Sequence, residues 1–209
     1  MSQVLVSEFE MYKHLREFEE NFNSLQGNVH NIASAWLLAA FGGIAFSFTL
    51  PANSSFPVPG PFLAMIASFL GSVGIYNLWN LGQGVYQNLL RAAFLEGCRM
   101  ETKNPDLPQI RRLMWSVSKN QGMGARYRLF YFLPIVALSV ISLAITLLTW
   151  DEKQLAYYSV SLTAIVIALV LAQKIWNSSV SEYQALAEGL NDKTLESWFP
   201  EKPDPIAKA

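Results

Sequence analysis

Cysteine is almost missing. The 209-residue chain has one, Cys98, so no intrachain disulfide can form. There are two histidines, His14 and His30, and neither combines with Cys98 in a metal-ligand spacing. No metal and no other cofactor is expected. Charge is scarce as well. Asp, Glu, Lys and Arg make up 15% of the residues, against about 25% in an average soluble domain. The net charge of −1 removes any general attraction to nucleic acid. The N-terminus is polar and acidic, which is not the pattern of a signal peptide. No Walker loop and no GxGxxG occurs, and Gly122-Met123-Gly124 is too short to cradle a phosphate. No enzyme is expected.

What is abundant is apolar sequence, 52% of the chain. It falls into four runs long enough to cross about 30 Å of hydrocarbon: Asn31–Leu50, Phe62–Leu81, Leu129–Trp150 and Gln154–Gln173. No ionisable residue lies deep in any of them, which argues against proton relays and secondary transport. Ala35, Ala39 and Gly43 fall on one face of the first run. Ala64, Ala67, Gly71 and Gly74 do so in the second, and Ala164, Ala168 and Ala172 in the fourth. Small residues let helix backbones approach closely in lipid. The proline-rich link 51–61 and Asp151-Glu152-Lys153 are tight turns. The expected fold is therefore all-α and polytopic, with four transmembrane helices as two parallel tandem hairpins joined to long cytoplasmic helices.

Between the runs lie segments with distinct charge. Residues 1–30 hold five glutamates against Lys13 and Arg16. Ser7 and Glu10 suit a capping box, and Met11, Leu15, Phe18, Phe22 and Leu25 share one helical stripe at near-heptad spacing. Residues 82–128 hold eight basic side chains against three acidic ones, and include the candidate basic patch Arg91, Arg99, Arg111, Arg112, Arg126 and Arg128. Lys103-Asn104-Pro105 should end one helix, because the residue before proline avoids helical angles, and Pro108 suits the first turn of another. The basic segment has three readings: an orientation signal against anionic lipid, a dock for the acidic N-terminal helix and tail, or a site for a soluble anion near Arg111-Arg112. Residues 174–209 continue as a helix and a tail. Fourteen of the 15 Lys and Arg residues lie in residues 1–30, 82–128 or 174–209. The positive-inside bias places those parts, with both termini, in the cytoplasm of an inner (cell) membrane protein.

One spelling occurs twice. Trp79-Asn80 is followed at Tyr86 by Tyr-Gln-Asn-Leu, and Trp176-Asn177 is followed at Tyr183 by Tyr-Gln-Ala-Leu. The offset of 97 residues also maps the first apolar run onto the third and the second onto the fourth, which points to duplication. Trp79 and Trp176 are expected at equal depth at the inner membrane interface. This layout of cytoplasmic helix, tight hairpin and cytoplasmic helix in tandem resembles the SLATT-type hairpin modules of bacteria, and the stretch from Trp79 to Gly97 is similar to a pattern in small four-span bacterial membrane proteins. The resemblance implies a membrane-perturbing effector. Two functions follow as expectations. The first is a homo-oligomeric pore or channel-like effector gated by its cytoplasmic helices, with Ser139, Ser142, Ser159, Ser161 and Thr163 as its lining. The second is a non-catalytic scaffold or accessory subunit that presents those helices to a cytoplasmic protein. The bilayer is the one partner common to both.

Overall fold

The computed structural model describes residues 2–50, 58–111, 113–114, 123–149 and 155–177, with side chains described from residue 9 in the first helix and from 127 in the fourth. The described residues are all-helical and contain no strand. Helix α1 spans Ser2–Thr49 and α2 spans Gly60–Trp79. A π-helix, Asn80–Tyr86, follows directly. Then come α3, Gln87–Lys103, α4, Met123–Leu148, and α5, Leu155–Asn177. Four helical stretches are long and apolar enough to cross a membrane.

Local sequence explains the boundaries. Pro59 sits in an extended conformation ahead of α2, its carbonyl accepts from the amides of Phe62 and Leu63, and Pro61 fills the first turn, where a missing N–H costs nothing. α3 stops at Lys103, and Asn104 before Pro105 is extended (φ −125°, ψ 91°), as the proline rule requires. One expectation changes. α1 begins at Ser2, so Ser7 lies inside the helix and does not cap it. Gly124 lies in the first turn of α4; Gly122 lies outside the described residues.

The chain forms two compact units. Unit 2 comprises residues 26–85 and 125–179. Its core joins Ala33, Ala40 and Ile44 of α1 with Ala64, Met65 and Ile75 of α2, Tyr131, Ile135 and Leu138 of α4, and Ala168, Ala172 and Ile175 of α5. α2 packs along α5. Glycines bring α1 and α2 close. A Cβ at Gly71 would stand 2.7 Å from Ala40 Cβ and 3.0 Å from Leu138 Cδ1, and one at Gly43 would stand 3.3 Å from Ala67 Cβ. A side chain at Gly74 would overlap the Trp36 indole, and one at Gly60 the Ser47 carbonyl. The touching stripe of α1 is thus Trp36, Ala40, Gly43 and Ser47.

Within one copy of the chain the packing face is offset from the expected one. Ala35 and Ala39 are exposed, while Gly43, Ala67 and Gly71 do pack. With 3.6 residues per turn, a stripe through Gly43 can continue to 39 or to 40. The flat Trp36 indole lying over Gly74 selects 40. Most buried serine and threonine hydroxyls in this unit are satisfied within their own helices. Ser68, Ser72, Ser139, Thr146 and Ser161 each donate to the carbonyl four residues back at 2.8–3.0 Å. Such bonds let polar side chains sit among apolar ones without a lost hydrogen bond.

Unit 1 comprises residues 1–25, 86–124 and 180–209. Its described small core is Tyr12, Met100 and Leu107, with Leu15 against it. Here too the face shifts. Met11 and Phe18 of the apolar stripe are exposed, and Tyr12 beside it is buried.

Gly71→Val should destabilise the protein by about 1–3 kcal/mol, the usual cost of overpacking. Ala39→Val should change stability by less than about 0.5 kcal/mol, as an exposed substitution does. Thermal unfolding in detergent compares the two, and equal losses would contradict the packing face described here.

A buried arginine clasp as candidate functional site

Arg111 is the centre of unit 1. Only 2% of it is exposed, although arginine is almost never fully buried unless paired. Its partners come from two distant parts of the chain. Nε and Nη2 donate to Glu19 Oε1 and Oε2, both at 2.9 Å. This is a bidentate fork, the strongest geometry for the pair. Nη1 donates to Glu101 Oε1 at 3.1 Å, and Glu101 is 1% exposed. The guanidinium carbon also lies 5.0 Å from the centroid of the Tyr12 ring, within cation–π range.

Two of these partners, Tyr12 and Glu101, are themselves held. The Tyr12 hydroxyl lies 3.0 Å from Glu101 Oε1 and 3.0 Å from the Pro108 carbonyl, so its one proton serves two acceptors. Both oxygens of Glu101 accept from the Arg111 backbone N–H at 3.2 Å. The carboxylate thereby satisfies an amide in the first turn of the helical stretch that starts at residue 110, where the exposed N–H groups favour negative charge. Gln109 Nε2 donates to the carbonyls of Glu101 (2.8 Å) and Leu107 (3.2 Å). Two of the three partners of the guanidinium, Glu101 and Tyr12, are thus tied to further groups.

α3 supplies the space. A Cβ at Gly97 would overlap the Arg111 guanidinium, so glycine is required for the side chain to cross α3 at that point. One turn of α3 carries both the gap and the carboxylate: Gly97 and Glu101 are four residues apart and share a face.

The electrostatics follow from this packing. Burial works against the Arg111 charge, but the hydrogen bonds and charge of Glu19, with Tyr12 and Glu101, outweigh it, and the guanidinium pKa is raised. Burial, reinforced by the hydrogen bond and charge of Glu101, pushes the Tyr12 phenol up to about 12. Burial likewise pushes the Cys98 thiol to about 12. With no thiolate at neutral pH, Cys98 is an inert core residue.

The expected site residues divide. Arg111 joins the acidic N-terminal helix, so of the three readings of the basic segment the dock is the one realised there. Because it is buried, Arg111 is closed to a soluble anion. Arg91 Nη1 reaches Asn88 Oδ1 at 3.4 Å and Arg99 pairs with Glu96 at 3.2 Å; these are local contacts on α3. Arg128 donates to the Trp176 carbonyl at 3.2 Å. Arg112 lies outside the described residues, as does the side chain of Arg126. Asn80 and Tyr86 open and close the π-helix. Trp79 is 9% exposed and Trp176 is 48% exposed, so the two copies differ in burial; Asn177 ends α5 and Tyr183 lies outside the described residues. Ala164 and Ala168 of α5 line a narrow pocket with Ser68 and Ser72 of α2 and Ser139 and Ser142 of α4. Ser159 and Thr163 are exposed.

Sequence reading missed Glu19, Glu101 and Tyr12 as partners. Gly97, one turn from Glu101 on an otherwise well-patterned helix, was the available sign. No group of three or more metal-binding side chains occurs among the described residues. Four membrane-length apolar helices and a charge-clasped helical unit define the class: an all-α, multi-pass membrane protein. Comparisons with protein families, with characterised proteins and with solved structures returned no match.

Cys98 reports on the clasp. In the native protein at pH 8 it should resist maleimide. Gly97→Ala should speed labelling at least tenfold by displacing Arg111; unchanged labelling would mean that the guanidinium does not need the gap. Alkali should act separately through Tyr12. The folded-state pKa lies above the value of about 10 in an unfolded chain, so stability from the neutral phenol is complete below pH 10 and is lost as pH rises towards 12. Far-ultraviolet circular dichroism during thermal unfolding should show this fall in the wild type and a smaller one in Tyr12→Phe.

Proposed function

We propose that the protein is a homo-oligomeric, non-catalytic membrane scaffold whose extramembrane helical unit is its recognition surface. In this reading the four spans form two tandem hairpins, and unit 1 lies in the cytoplasm with both termini. The distribution of lysine and arginine supports that orientation. The closely approaching glycines between α1 and α2 support the first hairpin.

One observation carries the recognition role. Met11, Phe18 and Leu25 are all exposed on α1, and they are seven residues apart. Such a stripe supplies one of the two apolar positions per heptad that a coiled-coil seam uses. The buried side of the same helix, with Tyr12 and Glu19, is already occupied by the clasp. The clasp therefore fixes which face of α1 is offered outward. A second copy of α1 would bury the stripe. Leu113 and Met114 of the same unit are also exposed. The apolar interior of unit 2 and its self-satisfied hydroxyls suit a scaffold through which nothing passes.

The channel-like reading is second. It draws on Ser159 and Thr163, which are exposed on α5 and would line an axis shared by several copies. Such a pore would conduct by wetting of a weakly polar lining.

The test is cysteine cross-linking in membranes. With Cys98 inert, Phe18→Cys should give disulfide-linked dimers on mild oxidation. Phe18→Glu should shift the purified protein to monomer on a sizing column. A monomeric wild type with no cross-link would overturn the oligomer. Dye release from liposomes by the oligomer would replace the scaffold with the pore.

A further inference from the structure

Three buried polar side-chain atoms near the π-helix have no hydrogen-bond partner: Nε2 of His30, Nε1 of Trp79 and the hydroxyl of Tyr131. They come from three helices of unit 2, α1, α2 and α4. Trp79 and Tyr131 are more than nine-tenths buried. Buried polar atoms are normally paired, and phenylalanine at position 131 would have removed the bare hydroxyl.

His30 and Tyr131 are neighbours, and Trp79 belongs to the same buried cluster as Tyr131. The rings of His30 and Tyr131 are 5.6 Å apart. A Cβ at Gly82 would stand 3.7 Å from the Tyr131 hydroxyl, and Trp79 lies one turn before Gly82. His30 has a fixed tautomer, because Nδ1–H donates to the Gln26 carbonyl at 2.7 Å; in the neutral ring Nε2 then offers a lone pair. Tyr127 and Phe130 place their rings 5.0 Å and 5.3 Å from His30. The π-helix widens the backbone beside this cluster, and such segments recur at functional sites.

We propose that His30, Trp79 and Tyr131 bind a neutral, lipid-soluble ring compound bearing carbonyl or hydroxyl oxygens, the chemistry of a quinone or quinol. Trp79 Nε1–H and Tyr131 O–H supply donors for carbonyl oxygens. His30 Nε2 accepts from a hydroxyl. The aromatic side chains offer faces and edges for stacking. None of the three groups carries a fixed charge, and the surroundings are the apolar core of unit 2, so their chemistry favours a neutral ligand over an ion. Phe130 is exposed, which leaves this aromatic group an edge reachable from lipid.

The test uses full-length protein in nanodiscs, titrated with a decyl-substituted benzoquinone, its quinol, and decanol as a ring-free control, with bound ligand counted by equilibrium dialysis. Saturable binding is expected for quinone and quinol and not for decanol. Tyr131→Phe should weaken quinone binding about tenfold, the value of one hydrogen bond. Its unliganded melting temperature should be unchanged or higher, because a bare hydroxyl is gone. His30→Phe should weaken the quinol more than the quinone. Absence of saturable binding, equal binding of decanol, or unaltered quinone affinity in Tyr131→Phe would each overturn the proposal. So would a lower melting temperature of unliganded Tyr131→Phe, which would show that the hydroxyl already serves the fold.

Discussion

A guanidinium withdrawn from water must be paired or the fold around it fails. Unit 1 is arranged around that requirement at Arg111. The fork of Glu19 ties it to α1, and Glu101 ties it to α3. Tyr12, Gln109 and the Arg111 amide then hold Glu101 in place. A small unit with little apolar core gains its definition from this network. Tyr12, Met100 and Leu107 alone would leave the rotation of α1 about its axis weakly specified, whereas a bidentate ion pair fixes it to one face.

Unit 2 solves the opposite problem. Charge is absent from its interior, and shape decides. Gly43, Gly60, Gly71 and Gly74 each face an atom that a side chain would meet or overlap, so α1 and α2 lie at backbone distance. Most core polar groups find a partner: serines and threonines donate to their own helices, and the Tyr158 hydroxyl donates to the Thr149 carbonyl. The exceptions are His30, Trp79 and Tyr131, which cluster where α2 changes to a π-helix. The Trp79-to-Tyr86 stretch, which in sequence marks the edge of an apolar run, is in the structure the place where helical geometry changes.

Much of the fold was legible. Apolar runs longer than about 18 residues read directly as spanning helices, and Asn104-Pro105 marked the end of α3. Helical faces were less legible. A 3.6-residue period leaves adjacent stripes nearly equal in apolar content, so the sequence alone favours Ala35 and Ala39 although Trp36 and Ala40 touch α2. The same ambiguity hid Tyr12 behind Met11. In both cases the deciding partner is remote in sequence: Gly74 for Trp36, and Glu101 for Tyr12. The π-helix had no periodic signature, only Gly82 and Gly84 near a tryptophan. Of the candidate site, Arg111 was visible as a charge, but its burial depends on Gly97 and Glu101, which no local pattern links to it.

The most direct measurement is a double-mutant cycle between Glu19 and Arg111, using Glu19→Gln and Arg111→Met with the double variant, read by thermal unfolding of the full chain in detergent. A buried, bidentate pair should give a coupling free energy of about 1–3 kcal/mol, with each single variant more damaging than expected from the double. Additivity within about 0.5 kcal/mol would mean that the two groups do not act as a unit, and the account of Arg111 as the clasp between α1 and α3 would be wrong.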